Sequence, residues 1–516
     1  MALWSRRPSC DGFALATGPP SCRIAAAPAG RAEGVRPSLG QEHLSRAASG
    51  SVERSGAVLF HSWQFAAFGI TVYLVYLLLC RTRFALHWLL AASLFFYGWV
   101  NPAFVLLLLY VVVVNFGAGL MIERSPRRKL WLAGAIVATL APLGMYKYSA
   151  FATGSLNVVL ARLGWRAAVK VPSLLLPAGL SFFTFGAVGY AIDCYRRTVK
   201  PERSIVRLAT FIAFFPKLLA GPIERASHFL GQLSPRPKRP TGADLADGLS
   251  LFVVGLFKKV AIADYLSLYV DKVYSYPAGF DGLTLAAATF AFAWEIYFDF
   301  SGYTDMARGV ARALGFDIAL NFNNPYLATG LGDFWNRWHI SLSSWFKDYF
   351  YIPLGGNRKG KLNTYRNMLV TMVVSGLWHG AAWTFVIWGF LHAIGRFITR
   401  EMERTRFYRD RVPTLAKQFW VFGFVTFAWI FFRASTFSDA LLIVKRIFSA
   451  GVADPRLPIA MLGLCLIIWG YQFWYESRAR RVLEWAPVKV GATAYMMVHL
   501  ILFAGGASQP FVYLQF

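Results

Sequence analysis

The sequence of residues 103–122 is Ala103-Phe-Val-Leu-Leu-Leu-Leu-Tyr-Val-Val-Val-Val-Asn-Phe-Gly-Ala-Gly-Leu-Met-Ile122, without a charged side chain. A helix of about 20 apolar residues crosses the roughly 30 Å hydrocarbon core of a bilayer. Comparable, mostly apolar runs recur at residues 63–80, 130–145, 205–221, 247–266, 279–298, 418–432, 455–473 and 491–505. These runs predict an all-α fold, a polytopic membrane helical bundle of about ten to twelve spans.

The composition also indicates a membrane protein. Of the 516 residues, 56% are hydrophobic and 17% are aromatic, which exceeds the usual content of soluble domains. An open sheet would leave backbone groups unpaired in lipid. The apolar runs also lack the alternation that is typical of membrane barrel strands. Both arguments favour helices.

The net charge of +27 arises from 53 Lys and Arg against 26 Asp and Glu. The basic residues cluster in short segments between apolar runs, at residues 123–129, 196–203, 236–239 and 400–411. This distribution is typical of the cytoplasmic loops of multi-pass proteins, so we expect a membrane lipid environment and no nucleic-acid partner. The five cysteines show no C-x-x-C spacing, so we expect neither a zinc site nor a disulfide framework.

Residues 1–57 differ from the rest of the chain. They are rich in Arg, Ala, Gly, Ser and Pro, a composition that predicts disorder, and they lack the apolar core of a signal peptide. The basic loops imply an external N-terminus, and a basic tail is a poor candidate for export. We therefore expect either a disordered tail or a true translation start near Val58, with an integral membrane domain over residues 58–516.

The first of two histidine segments is Asp333-Phe-Trp-Asn-Arg-Trp-His-Ile-Ser-Leu-Ser343. An ionisable side chain within a membrane protein is costly and usually functional, and histidine transfers protons near neutral pH. On a continuous helix, Trp335, His339 and Ser343 would share one face. Asn336 and Ser343 would then be able to orient the imidazole. The alternative is an interfacial helix that anchors at the lipid headgroups.

The second histidine segment is Ser375-Gly-Leu-Trp-His-Gly-Ala381. It places His379 within an apolar run that extends to Phe390. Small residues surround the histidine, namely Gly376, Gly380, Ala381 and Ala382. They would permit the close approach of another helix or of an acyl chain. The alternative is a histidine that only bonds to a neighbouring helix.

Asp299 and Asp305 end another apolar run, in the segment Phe298-Asp-Phe-Ser-Gly-Tyr-Thr-Asp305. These carboxylates are expected to bind a cation, to orient a histidine, or, for Asp305, to cap a following helix.

The loop of residues 351–361 is glycine-rich and basic, and it matches G-x-x-x-x-G-K. Leu362 stands where a P-loop needs Ser or Thr for magnesium, so we reject a nucleotide hydrolase. Arg358 and Lys359 are candidates to bind a phosphate-bearing ligand at the cytoplasmic mouth. The alternative is simple anchoring of a basic cytoplasmic loop.

Four segments together resemble the membrane-bound O-acyltransferase (MBOAT) family, at residues 298–307, 334–343, 349–358 and 376–381. Within it they are similar to the bacterial branch that includes alginate O-acetyltransferase and the D-alanyl transfer protein of teichoic acids. The likeness extends from about Val58 to Phe516, so residues 1–57 lie outside it. The resemblance implies a bundle with re-entrant or interfacial helices around a central funnel.

The resemblance also implies a function and roles for individual residues. His379 falls on the family's catalytic histidine and His339 on its second signature histidine. Membrane O-acyltransfer would use acetyl-CoA or another acyl thioester as donor, with no tightly bound cofactor and no metal, and would O-acetylate an extracytoplasmic polysaccharide such as alginate. A separate extracytoplasmic SGNH-type transferase would complete the transfer outside a bacterial inner membrane. The expected donor-binding residues are Asn336, Trp338, Ser343, Trp378, Arg358 and Lys359, and Asp299 and Asp305 are expected to support the site.

Two other classes of function stay open on the residues alone. The two histidines and the two aspartates would also suit a proton-coupled or solute transporter. A non-catalytic scaffold for the extracellular transferase is the third possibility.

Overall fold

The computed structural model describes residues 60–165, 168–449, 451–452, 454–503 and 511–512. Regular secondary structure in these ranges is helical, without a strand. The tail of residues 1–57 and the expected start near Val58 lie outside the described residues.

The N-terminal half of the bundle contains nine helices in the described ranges. They are α1 (Trp63–Leu79), α2 (Ala85–Val100), α3 (Pro102–Arg124), α4 (Arg128–Leu143), α5 (Ser149–Arg162), α6 (Leu180–Arg196), α7 (Ile205–Ala213), α8 (Phe215–Leu218) and α9 (Ala226–Phe229). Capping side chains determine where two of these helices begin. At the start of α1, the Ser62 Oγ accepts a hydrogen bond from the Phe65 N–H at 3.1 Å. Asn101 caps α3, whose first residue is Pro102, and both features are common at helix N-termini.

The second half contains the helices that build the site. They are α10 (Gly242–Phe257), α11 (Asp264–Tyr274), α12 (Gly282–Ala313), α13 (Leu331–Arg337), α14 (Ile340–Phe346), α15 (Gly360–His379), α16 (Trp383–Met402), α17 (Thr414–Arg433), α18 (Phe437–Ser449), α19 (Ile459–Glu476), α20 (Arg480–Glu484) and α21 (Ala486–Phe503). Short π-helical turns occur at Gly144–Tyr148, Lys258–Ala263, Lys347–Tyr351 and Phe407–Arg411.

Five helical segments of the described chain are long and apolar enough to cross a membrane: Pro102–Arg124, Arg128–Arg162, Gly282–Ala313, Thr414–Arg433 and Ile459–Glu476. Shorter apolar helices accompany them at Trp63–Leu79, Ala85–Trp99 and Ala486–Leu502. The prediction of an all-α, polytopic membrane bundle is therefore confirmed. The run at 205–221 is not one span, because the chain leaves the helix at Phe214 and only the four-residue α8 follows.

Three of the four basic segments, together with residues 347–361, meet at one end of the bundle. Arg128 donates to the Tyr195 carbonyl at 2.7 Å, and Arg196 donates to the Asp348 carbonyl at 3.0 Å. Lys361 pairs with Glu401 at 2.8 Å. We call this end, formed by segments 123–129, 196–203, 347–361 and 400–411, the basic end; it is the arrangement that the positive-inside rule predicts for a cytoplasmic face.

Glycines let the central helices touch along their backbones. A Cβ built at Gly255 of α10 would lie 2.6 Å from the Gly302 carbonyl oxygen of α12, and one at Gly302 would lie 2.7 Å from the Gly255 carbonyl oxygen. The same reciprocal contact, at 2.6 Å, joins Gly248 to Gly309. Small residues at a crossing replace side-chain packing with direct backbone contact, so α12 is held firmly at the centre of the bundle.

Candidate active site

His379 is the last residue of α15, where the chain turns into α16. The 20 residues of α15 span about 30 Å, and the helix begins at the basic end. His379 therefore lies far from that end. A Cβ at Gly376 would overlap the Phe385 carbonyl oxygen of α16, so the small residue here does admit a second helix, as the sequence predicted.

His339 does not lie within a helix. α13 ends at Arg337 and α14 begins at Ile340, and His339 between them has φ 43° and ψ 53°. The predicted continuous helix that carries Trp335, His339 and Ser343 on one face is therefore wrong. A non-glycine residue rarely adopts this left-handed conformation, and such strained positions concentrate at functional sites.

The break between α13 and α14 has an identifiable cause. Trp338 is extended and fully buried, and its ring stacks on Phe334 and contacts Trp429 of α17. The Ile340 N–H donates to the Asn321 carbonyl at 2.9 Å instead of to a helical acceptor. Burial of the indole and this hydrogen bond outside the helix outweigh continuation of α13.

The break and the α15–α16 turn bring the two histidines together. The ring centroids of His339 and His379 lie 6.3 Å apart, and the side chains are 0% and 4% exposed. Aromatic rings surround them, namely Phe182, Phe300, Trp378, Trp388 and Phe432. We call these seven residues the histidine chamber. Such enclosure excludes water and strengthens polar contacts.

Sequence reasoning missed a third histidine. His392 of α16 is fully buried, and its ring lies 4.7 Å from that of Trp388 and 5.0 Å from that of Trp335. Neither ring nitrogen has a hydrogen-bond partner among the described residues. The argument that singled out His379, an ionisable group in an apolar run, applied equally to His392.

A lysine was missed as well. Lys147, in the π turn between α4 and α5, donates to the carbonyls of Trp378 and His379 at 2.7 and 2.9 Å. Its sequence signal was a lysine within a long apolar stretch, which is costly without a partner.

Three of the predicted donor-binding residues, Ser343, Asn336 and Trp338, lie in surroundings that differ from those that the sequence predicted. Ser343 Oγ donates to the Trp338 carbonyl at 3.1 Å rather than to the imidazole. Asn336 is exposed, whereas His339 is fully buried, so the expectation that Asn336 orients the imidazole is wrong. Trp338 belongs to the aromatic core. By contrast, Trp378 lies against both histidines, 4.9 Å from His379 and 5.9 Å from His339 between ring centroids.

Asp299 and Asp305 contact lysines and not histidines. Buried Asp299 pairs with Lys259 at 2.8 Å, and Asp305 pairs with Lys258 at 2.6 Å. The capping role considered for Asp305 is wrong, because the residue lies inside the 32-residue α12. Each carboxylate thus pairs with an ammonium of the chain itself, and binding of an external cation stays a prediction.

Arg358 and Lys359 are exposed and directly precede α15 at the basic end. The length of that helix separates them from His379 by about 30 Å. Their expected contact with a phosphate group stays a prediction. A ligand whose acyl group reaches the histidines would have to place its phosphate group about 30 Å away to contact these two residues.

A cavity of about 360 Å³ lies closer to the histidine chamber than Arg358 and Lys359 do. Ile340 and Ser341, which directly follow His339, line it together with Arg225, His228 and Arg308. The Arg308 Nε has no hydrogen-bond partner among the described residues. At the cavity, His228 donates a hydrogen bond to the Glu224 carboxylate at 2.9 Å, which raises the pKa of His228 and favours a positive charge on the cavity wall.

Residues 162–437 match the model of the membrane-bound O-acyltransferase family. The chain belongs to this family. It is thus a multi-pass membrane acyltransferase, and both histidines of the chamber lie within the matched region.

Individual relatives cover most of the chain. A probable alginate O-acetylase of Azotobacter vinelandii is 40% identical over 370 residues, 70% of this chain and 72% of that protein. A peptidoglycan O-acetyltransferase of Helicobacter pylori is 35% identical over 387 residues, 69% of this chain and 72% of its own length. A probable alginate O-acetylase of Pseudomonas putida is 34% identical over 500 residues, 89% of this chain and all of that protein.

Proposed function

We propose that this acyltransferase moves acetyl groups from a cytoplasmic thioester, acetyl-CoA, across a bacterial inner membrane for O-acetylation of an extracytoplasmic polysaccharide such as alginate. The observation that carries the proposal is the buried pair of His339 and His379, 6.3 Å apart between ring centroids. The pair lies in a chain whose relatives are named for O-acetylation of alginate and peptidoglycan.

His379 is the proposed base. Its imidazole takes the proton from the acceptor hydroxyl as the hydroxyl oxygen forms a bond to the acyl carbon. The carbonyl oxygen becomes an oxyanion, and its collapse breaks the bond between carbon and sulfur. The leaving thiolate then receives the proton that His379 had taken, so the base is restored at the end of the transfer.

His339 and Trp378 are the proposed groups that bind the acyl oxygen. The indole N–H of Trp378 is buried without a hydrogen-bond partner among the described residues, and its ring lies against both imidazoles. A preorganised donor in a dry site stabilises an oxyanion far more than water does. His339 is held at the same place by its left-handed backbone.

The donor is proposed to enter from the basic end. The cavity beside His339 presents Arg225, Arg308 and His228, and basic groups of this kind bind phosphate. Arg358 and Lys359 are the second proposed contact with the donor, further out on the same end. An SGNH-type transferase is the proposed partner on the opposite side, where the polysaccharide receives the acetyl group.

The transporter alternative loses part of its basis. It needed Asp299 and Asp305 to join the histidines in one polar path, whereas both carboxylates pair with Lys259 and Lys258. The remaining alternative is a non-catalytic scaffold for the extracellular transferase, and a His379 variant distinguishes it from the enzyme.

The test compares a deletion strain that carries the wild-type gene, His379→Ala, or His87→Ala as the control. His87 is an exposed histidine of α2. We expect ester-linked acetate on the extracellular polysaccharide with the wild-type and His87→Ala proteins, and none with His379→Ala at equal protein content in the membrane. Acetate at the wild-type level with His379→Ala, together with its loss on deletion, would instead establish a scaffold. Unchanged acetate in the deletion strain would refute the proposed function.

A further inference from the structure

The C-terminal turn of α15 receives hydrogen bonds from two consecutive side chains of another helix. Lys147 Nζ donates to the Trp378 and His379 carbonyls at 2.7 and 2.9 Å, and the Tyr148 hydroxyl donates to the Leu377 carbonyl at 2.9 Å. The last carbonyls of a helix have no partner within the helix. Here three successive ones obtain partners more than 200 residues away in sequence.

The ammonium of Lys147 has no carboxylate within ion-pair distance among the described residues. Yet Lys147 lies within Arg128–Arg162, a segment long and apolar enough to span a membrane, where a charge is costly. The negative end of the α15 dipole, at the two carbonyls, compensates the charge, and the Trp378 ring, whose centroid lies 5.9 Å from Nζ, adds a cation–π contact. The position of the lysine and that of the helix end are thus coupled.

The backbone around Lys147 is adapted to this contact. Pro142 lies inside α4, and the π turn Gly144–Tyr148 follows. Proline disturbs a helix because it lacks an N–H group, and π turns inside helices are frequent at functional sites. This turn presents Lys147 and Tyr148 together to the end of α15.

We propose that Lys147 is a positioning residue that holds the α15–α16 turn, and with it the His379 imidazole, against His339. Tyr148 has the lesser part, because it bonds only to the Leu377 carbonyl, two residues before the histidine. The inference rests on the proposed function in one respect: the position of His379 matters for activity only if that residue performs the chemistry.

The test uses the full-length protein with Lys147→Met, Lys147→Arg and Tyr148→Phe. Methionine keeps much of the side-chain length but donates no hydrogen bond, whereas arginine keeps the charge and the donors. We expect Lys147→Met to lose at least about tenfold of the polysaccharide acetate, since a shift of 1 Å in a reacting group costs on the order of a hundredfold. Lys147→Arg should recover a large part of it, and Tyr148→Phe should lose less than Lys147→Met.

A second measurement does not depend on activity. Hydrogen–deuterium exchange of the detergent-purified protein, followed by mass spectrometry, reports on the peptide that contains residues 377–384. We expect faster exchange there in Lys147→Met than in wild type or Lys147→Arg, with little change in the peptides of α12. If Lys147→Met does not accumulate in the membrane, Tyr148→Phe tests the same contact with the end of α15. Faster exchange at residues 377–384 together with reduced acetate would support the positioning role, and wild-type exchange and acetate would overturn it.

The outcomes separate the two proposals. Wild-type acetate with Lys147→Met, or loss of acetate without faster exchange at the turn, overturns the positioning role. Faster exchange in Lys147→Met, in a protein whose His379→Ala variant keeps full acetate, overturns the proposed function and leaves the structural contact intact.

Discussion

His339 and His379 lie 6.3 Å apart between ring centroids, and two different devices place them there. His339 is oriented by a left-handed backbone conformation at a helix break. His379 is the last residue of a long helix, and Lys147 and Tyr148 donate hydrogen bonds to the carbonyls of its final turn. The first histidine is fixed by its own φ and ψ angles and the second by its neighbours. Substitutions should therefore affect the two sites differently.

The first prediction concerns the side chain and the backbone of His339. His339→Asn should keep the fold, because asparagine tolerates the left-handed region, and should lower the acetyl-transfer rate by on the order of a hundredfold or more, as expected for loss of an oxyanion donor. His339→Val should also reduce the amount of folded protein, because a β-branched residue is strained at this φ. Polymer acetate and protein content of the membrane are the measurements. Equal folded amounts of the two variants would contradict the backbone argument.

The second prediction concerns the stability cost of His392. Both ring nitrogens are buried without partners among the described residues, which costs about 1–3 kcal/mol. His392→Phe keeps a ring between Trp335 and Trp388 and removes the two unpartnered nitrogens, so we expect higher thermal stability. His392→Ala is the control, since a cavity there should destabilise the protein. Fluorescence-detected size-exclusion after heating gives the stability, and an His392→Phe protein less stable than wild type would count against the interpretation.

The sequence predicted the polytopic helical fold and pointed to His379 as a candidate base, because apolar length and an ionisable residue in an apolar run are local signals. The break at Trp338 was not predictable in this way. It depends on Asn321 and Trp429, which come from other parts of the chain. The partners of Asp299 and Asp305 were hidden for the same reason, since each bonds to a lysine at least 40 residues away.

The third prediction tests the close contact between α15 and α16. Gly376→Ala would place a methyl group against the Phe385 carbonyl, and such overpacking costs about 1–3 kcal/mol or more. Gly423→Ala is the matched control on α17, because its new Cβ meets no atom within 4 Å and alanine is the better helix former by about 1 kcal/mol. We expect the first variant to unfold at a lower temperature and to lose activity, and the second to do neither. Wild-type stability and activity of Gly376→Ala would show that α15 and α16 can move apart without loss of stability or activity.

The fourth prediction concerns the buried ion pair of Lys259 and Asp299, whose side chains are 1% and 2% exposed. Lys259 also pairs with Asp264 at 2.7 Å. Lys259→Met leaves both carboxylates without their cation, which should destabilise the protein by about 3–5 kcal/mol. Adding Asp299→Asn to Lys259→Met should restore the part of that loss that comes from the more deeply buried Asp299. Lys258→Met is the neighbouring control, because its pair with Asp305 is less deeply buried, with side chains 23% and 12% exposed, and should therefore contribute less than the pair of Lys259. Thermal stability in detergent measures all three, and equal losses in the two lysine variants would argue against the special role of burial.

The last prediction locates the entry of the donor. Arg308 lines the cavity beside His339 and meets a carboxylate of Asp305 only at 3.7 Å, so its charge is available to a phosphate group. Arg308→Gln should raise the KM for acetyl-CoA about tenfold, equivalent to about 1.4 kcal/mol, with a smaller change in kcat. Arg312→Gln, one turn further along α12, is the control, because Arg312 pairs with Asp244 at the start of α10. Acetyl transfer in inverted membrane vesicles, at varied acetyl-CoA, gives both constants. A raised KM with Arg358→Ala and Lys359→Ala combined, but not with Arg308→Gln, would move the donor's phosphate contact from the cavity to the exposed loop before α15.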